Sequence, residues 1–86
     1  MTKYNIHDVN QIKESLKNVT KRKIVNHLKS NSGMNLGSII KDLKLNPKVG
    51  TKHIIELIHL GLIKKVKDTT LLELNHDLIN LIETKD

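Results

Sequence analysis

The spacing of the apolar residues changes at Gly61, and this change constrains the fold more than any other feature of the chain. Before Gly61, apolar residues recur every three or four positions, which is the spacing of one helix face. After it, every second residue falls on the same side of the chain, as in a strand, beginning with Leu62, Lys64 and Val66. Glycine also suits the left-handed residue that ends many helices. We therefore predict a helix that ends at Gly61 and a β-hairpin over residues 62–74.

The start of that helix is marked by Asn46 and Pro47. Asparagine is a preferred N-cap, and proline at the first helical position loses no hydrogen bond because that N–H has no intrahelical acceptor. Gly50 lies on the same inner stripe as Ile54, one turn earlier. The missing side chain predicts a close approach between this helix and the preceding one.

Helical spacing predicts four further helices. They cover residues 6–18, a segment that begins after the N-cap Thr20, residues 37–44 and residues 76–84. The first helix would carry one apolar face, formed by Ile6, Val9, Ile12, Leu16 and Val19. The expected fold is a single domain over residues 1–86, mainly α with a small β-hairpin, in the order α-α-α-α-β-β-α.

The core must be built almost entirely from aliphatic side chains. The chain has 86 residues, without Trp, Phe, Cys or Ala, and with thirteen Leu, eleven Ile and five Val. A core this small favours help from a second subunit. The lack of cysteine excludes disulfides and thiolate metal sites. Because no signal-peptide core or membrane-length apolar run occurs, we expect a cytoplasmic protein without membrane attachment.

The net charge of +6 comes from fifteen Lys and Arg against nine acidic residues. Such a surplus favours a polyanionic partner, most often nucleic acid and sometimes an anionic membrane surface. The alternative is that the lysines only keep a small domain soluble.

Three segments carry a resemblance to a known family. Residues 52–63, KHIIELIHLGLI, resemble the end of the recognition helix and the first wing strand of ArsR-like winged helix-turn-helix regulators. Residues 22–28, RKIVNHL, and residues 36–43, LGSIIKDL, are similar to the two preceding helices of that family. Pro47 stands one residue farther from His53 than is usual there. The resemblance implies a DNA-binding motif over residues 36–60 with the hairpin as its wing.

The side of the fourth helix opposite the core supplies the predicted major-groove contacts, which are Lys48, Thr51, Lys52, Ile55 and His59. The predicted backbone and wing contacts are Lys21, Arg22, Lys23, Ser38, Lys64, Lys65, Lys67, Thr69 and Thr70. The wing lysines are expected to converge on one side. Cations at a helix N-terminus oppose its dipole, and a phosphate would justify the group at residues 21–23.

Glu56 is expected to pair with Lys52 at i, i+4, and His53 to hydrogen-bond inside the motif. Ile55 has two open interpretations, contact with a thymine methyl group or packing against a neighbouring helix. The five histidines contain no pair at i, i+3 or i, i+4, so no metal site is predicted, and the metal-sensing residues of the family are not reproduced. No nucleophile–base pair or phosphate loop indicates an enzyme or a cofactor.

The sequence thus predicts a sequence-specific, double-stranded DNA-binding transcriptional regulator. The resemblance implies a homodimer formed by the N- and C-terminal helices, with half-sites about one helical turn apart. The alternative is a winged-helix protein–protein interaction module in a transcription, replication or defence complex. A third interpretation is an RNA or nonspecific chromatin binder. A continuous basic band favours DNA, whereas an exposed apolar patch favours a protein partner.

Overall fold

The computed structural model describes residues 6–83, and the side chains from Val9 onward. In this part of the chain the elements follow the order α-α-β-α-α-β-β-α. The helices are α1 (Ile6–Ser15), α2 (Val19–Ser30), α3 (Leu36–Leu43), α4 (Pro47–His59) and α5 (His76–Glu83). The strands are β1 (Met34–Asn35), β2 (Ile63–Lys65) and β3 (Leu71–Leu74). The mainly helical prediction is confirmed, and the arrangement is compatible with a winged-helix-like fold. Residue 84, predicted to end the last helix, lies outside the described residues.

The three strands form one antiparallel sheet in the order β1-β3-β2. Ile63 is paired with Leu74 across β2 and β3, which confirms the hairpin. Met34 is paired with Leu72 across β1 and β3, and this third strand is absent from the predicted order. Because β1 has only two residues, it shows no alternation that a sequence pattern could detect.

The predicted boundary between the first two helices is wrong. Helix α1 ends at Ser15, and the N-cap of α2 is Asn18 instead of Thr20. The Asn18 side-chain oxygen accepts a hydrogen bond from the Lys21 backbone N–H at 3.0 Å. Val19 therefore belongs to α2 and is 55% exposed, so it does not continue the apolar face of α1.

The core is formed by side chains from all five described helices and from β2 and β3, together with Leu62 between α4 and β2. Its buried side chains are all aliphatic: Ile12, Ile24, Val25, Leu28, Ile39, Ile54, Leu57, Leu62, Ile63, Leu72, Leu74, Leu78 and Ile79. These positions confirm the helical spacing that placed α2, α3, α4 and α5. Within residues 6–83, no helix has the length and apolar character needed to cross a membrane.

Candidate nucleic-acid interface

The turn between α3 and α4 is fixed by hydrogen bonds at both of its ends. Lys44 adopts a left-handed conformation (φ 55°), and the Leu45 N–H donates to the Ile40 carbonyl oxygen at 3.0 Å, as in a Schellman motif. Asn46 then caps α4, since its side-chain oxygen accepts from the N–H groups of Lys48 (3.0 Å) and Val49 (3.1 Å). The predicted N-cap is confirmed, and these hydrogen bonds fix the direction of α4 relative to α3.

Gly50 allows α4 to lie close against α3 and the turn. A Cβ atom at this buried position would lie 3.1 Å from Ile40 Cγ1 and 3.2 Å from Leu45 Cβ. Both distances are shorter than ordinary van der Waals contact. The predicted close approach is therefore confirmed, and it fixes which side of α4 faces away from the protein.

The opposite side of α4 carries four exposed side chains, which we call the outer face: Lys48, Lys52, Ile55 and His59. Their spacing of four, three and four residues keeps them within about 60° of one another on the helix and spreads them over roughly 16 Å. Thr51, predicted with them, lies at the flank and is half-buried. Among residues 6–83, no ion pair involves Lys48 or Lys52.

Glu56, the acidic residue of α4, is held away from the outer face. Its Oε1 lies 3.0 Å from Lys21 Nζ and 3.1 Å from His53 Nδ1, and Lys21 also donates to Ser15 Oγ at 2.9 Å. The predicted Lys52–Glu56 pair is therefore wrong, whereas the hydrogen bond of His53 inside the motif is confirmed. Donation by Lys21, and then by His53, lowers the pKa of the Glu56 carboxyl.

The cations at the start of α2 find partners inside the protein. The Lys21 side chain is only 14% exposed because it bridges Ser15 and Glu56. Arg22 Nη1 donates to the carbonyl oxygens of Leu16 and Lys17, both at 3.3 Å, which satisfies acceptors just after α1. Both cations therefore have hydrogen-bond partners within the protein, and their position near the N-terminus of α2 can be explained without a bound phosphate. Lys23 remains exposed.

The wing lysines do not converge on one side. Successive residues of a strand lie on opposite faces, and Lys64 is paired with Glu73 across the sheet whereas Lys65 is paired with Leu72. Lys64 Nζ lies 3.9 Å from Glu73 Oε2, so part of its charge is compensated. Lys65 is exposed and lies on the edge strand of the sheet.

The wing tip is a four-residue loop over residues 67–70. It is closed by the Val66 N–H, which donates to the Leu71 carbonyl oxygen at 2.9 Å. The Thr69 hydroxyl donates to the Val66 carbonyl oxygen at 2.9 Å and accepts from the Leu71 N–H at 3.1 Å. Thr69 was predicted to contact DNA, but its hydroxyl stabilises this turn. Lys67 and Thr70 are exposed. Asp68 has a positive φ of 62° and places a carboxylate at the tip.

Ser38, a predicted contact, and Val49, which was not predicted as one, lie outside the outer face of α4. Ser38 is half-buried in the first turn of α3, where its N–H donates to the Asn35 side-chain oxygen at 2.9 Å. Val49 is 47% exposed in the first turn of α4, about 120° around the helix from Ile55, and we do not place it among the DNA contacts. The helical wheel could have identified its exposure, since it lies well away from the inner stripe of Gly50 and Ile54. Within the described part of the chain, no three His, Asp or Glu side chains come together as a metal site.

The comparisons with known proteins inform the fold. No protein-family model matches the chain. No curated protein matches it in sequence. A solved structure, that of Rv1404 from Mycobacterium tuberculosis, is similar with a TM-score of 0.68 and 17% sequence identity. The match covers 91% of this chain and 58% of Rv1404, so the chain spans somewhat more than half the length of that protein. At this identity the likeness shows a shared fold alone.

Proposed function

We propose that this protein is a winged helix-turn-helix transcriptional regulator that binds double-stranded DNA, with α4 in the major groove and the β2–β3 wing on the backbone. The observation that carries the proposal is the charge of the outer face of α4. Lys48 and Lys52 are exposed there without an acidic partner in the described residues, while Glu56 is turned toward Lys21. A surface of this kind attracts a polyanion.

The shape of α4 supports the same proposal. The major groove of B-DNA is about 12 Å wide and admits one α-helix. The outer face runs for roughly 16 Å along α4, which is enough to follow several base pairs. The capped turn at Asn46 and the close contact at Gly50 hold α4 rigidly against α3. A rigid helix can present its side chains to base edges without a large loss of conformational entropy.

The proposed contacts are fewer than the sequence alone indicates. Lys21, Arg22 and Thr69 are left out because each is hydrogen-bonded within the protein. Lys65 and Lys67 supply the wing contacts to phosphates. In this proposal Lys52 reads bases and Lys65 contacts only the backbone.

We also propose that two copies associate through α1 and α5, so that their α4 helices reach half-sites about one helical turn apart. Leu81 of α5 supports this part, because its side chain is 40% exposed on a helix whose other aliphatic residues are buried or half-buried. A protein partner bound to α4 is less well supported. Val49 and Ile55, the exposed aliphatic residues of α4, lie about 120° apart and do not form one patch.

Selection of binding sites from random duplexes, followed by titration of the selected and random DNA, tests the proposal. The expected result is a consensus site that is bound more tightly than random DNA. Lys52→Gln should lower the affinity for the selected site more than that for random DNA, because a base contact carries sequence information. Lys65→Gln should lower both affinities by a similar factor. Enrichment of no sequence, or equal losses for both variants on both DNAs, would contradict sequence-specific binding by α4.

A further inference from the structure

Ile55 occupies an unusual place on α4. It belongs to the outer face and is 44% exposed, between Lys52 and His59 along the helix. It is not among the partly buried aliphatic residues that pack against the core, which include Ile58 and Leu60 of the same region. Within residues 6–83, packing against a neighbouring helix, one of the two predicted interpretations, is therefore not observed. On the outer face, Ile55 is the residue that has neither charge nor hydrogen-bonding group.

We infer that Ile55 contacts the 5-methyl group of a thymine in the major groove, and so favours a T·A pair at one position of each half-site. This inference rests on the proposed function and names a specificity determinant within it. Among the four natural bases, only thymine carries a methyl group on its major-groove edge. An aliphatic side chain can therefore distinguish it by apolar contact, although it cannot form a hydrogen bond.

The neighbours of Ile55 support DNA over an apolar partner. Lys52 lies three residues before it and Lys48 seven residues before it, so both cations share its side of the helix. When these lysines reach phosphates or base edges, Ile55, on the same side of the helix, is carried into the groove beside them. A cytosine at the same position would bring its amino group toward an aliphatic surface, where this donor loses its water partner.

The direct test removes the methyl group from the DNA. In the selected site, each thymine is replaced in turn by uracil, which has the same hydrogen-bonding groups without the methyl. At one thymine per half-site the affinity of the unaltered protein should fall about three- to fourfold, as expected for one buried methyl group. Replacing that T·A pair with C·G should weaken binding further, and 5-methylcytosine at the same position should restore part of the loss.

A pair of variants assigns this effect to Ile55. With Ile55→Ser, the uracil and thymine duplexes should bind equally well, because the aliphatic partner of the methyl is gone. Val49→Ser is the matched control, since Val49 is 47% exposed on the same helix but lies about 120° away. This variant should keep the full difference between thymine and uracil. Both substitutions lie on the surface, and circular dichroism checks that each variant is folded.

The outcomes separate the inference from the proposed function. Failure to bind any duplex would refute the proposed function. Binding to a selected site in which no thymine responds to uracil would overturn the inference and leave the function in place. The same holds if Ile55→Ser retains the full uracil effect, because the methyl would then contact another residue.

Discussion

Replacement of Gly50 with alanine should destabilise the protein, although alanine is the better helix former. The propensity change alone would stabilise α4 by about 0.8–1.0 kcal/mol. The new Cβ atom, however, would lie 3.1 Å from Ile40 Cγ1 and 3.2 Å from Leu45 Cβ. Leu45 cannot move freely, since its N–H is hydrogen-bonded to the Ile40 carbonyl oxygen. Overpacking of this kind costs about 1–3 kcal/mol, so the expected net loss is about 1 kcal/mol.

The matched control is Gly37→Ala in α3. A Cβ atom at Gly37 would meet the Asn35 side-chain oxygen at 3.7 Å, which is an ordinary contact, and Gly37 is exposed. This substitution should stabilise the protein by a few tenths to about 1 kcal/mol. Urea denaturation followed by circular dichroism measures both values, and a change of 1 kcal/mol corresponds to a melting shift of about 4–8 °C in a domain of this size. Equal stabilisation by both variants would refute the close contact between α3 and α4.

Three further predictions concern the elements around α4. Lys44→Gly should raise the free energy of unfolding by about 0.5–1 kcal/mol, because glycine adopts the left-handed conformation (φ 55°) without the steric cost of a side chain; a loss of stability in urea would contradict it. Glu56→Gln should make the free energy of unfolding depend less on pH in the acidic range. Because the pKa of Glu56 is lowered in the folded protein, its carboxylate stabilises the fold fully above the unfolded-state carboxyl pKa. This stabilisation is lost as the pH falls through the folded-state pKa. Thermal melts of both proteins across acidic pH test this, and parallel curves would exclude it. Leu81→Lys should dissociate the proposed dimer in sedimentation velocity and leave the monomer folded, whereas an unchanged oligomeric state would place the contact elsewhere.

The parts of the fold that follow local rules were predictable from the sequence. Asn46 and Pro47 start α4, and Gly61 follows it with a positive φ of 85°, because capping preferences depend on residues only a few positions apart. The start of α2 was predicted wrongly for a related reason. Asn18 and Thr20 are both good caps, and only the turn after Ser15 decides between them.

The contacts that depend on tertiary structure were not predictable. Lys52 is the local partner of Glu56 by helical spacing, but Lys21 of α2 reaches the same carboxylate and is shielded from water beside it. The attraction between opposite charges is less screened where one of them is withdrawn from solvent than between two exposed side chains on one helix. The exposure of Ile55 was equally open, since its wheel position is compatible with either a neighbouring helix or a ligand. Its absence from the packed core became evident only in the folded protein.

The salt dependence of DNA binding by charge variants tests the central claim most directly. Four proposed cations, Lys48, Lys52, Lys65 and Lys67, predict a slope of log K against log salt concentration of roughly −3 to −4 per protomer in fluorescence anisotropy titrations. The double variant Lys48→Gln/Lys52→Gln should reduce the magnitude of that slope by about 2.

The matched control is Lys13→Gln/Lys17→Gln, which removes the same charge from two exposed positions, one in α1 and one in the turn just after it. This control should leave the slope nearly unchanged, because its lysines lie off the outer face of α4. Equal effects of the two double variants, or binding that does not depend on salt, would contradict the placement of DNA on α4.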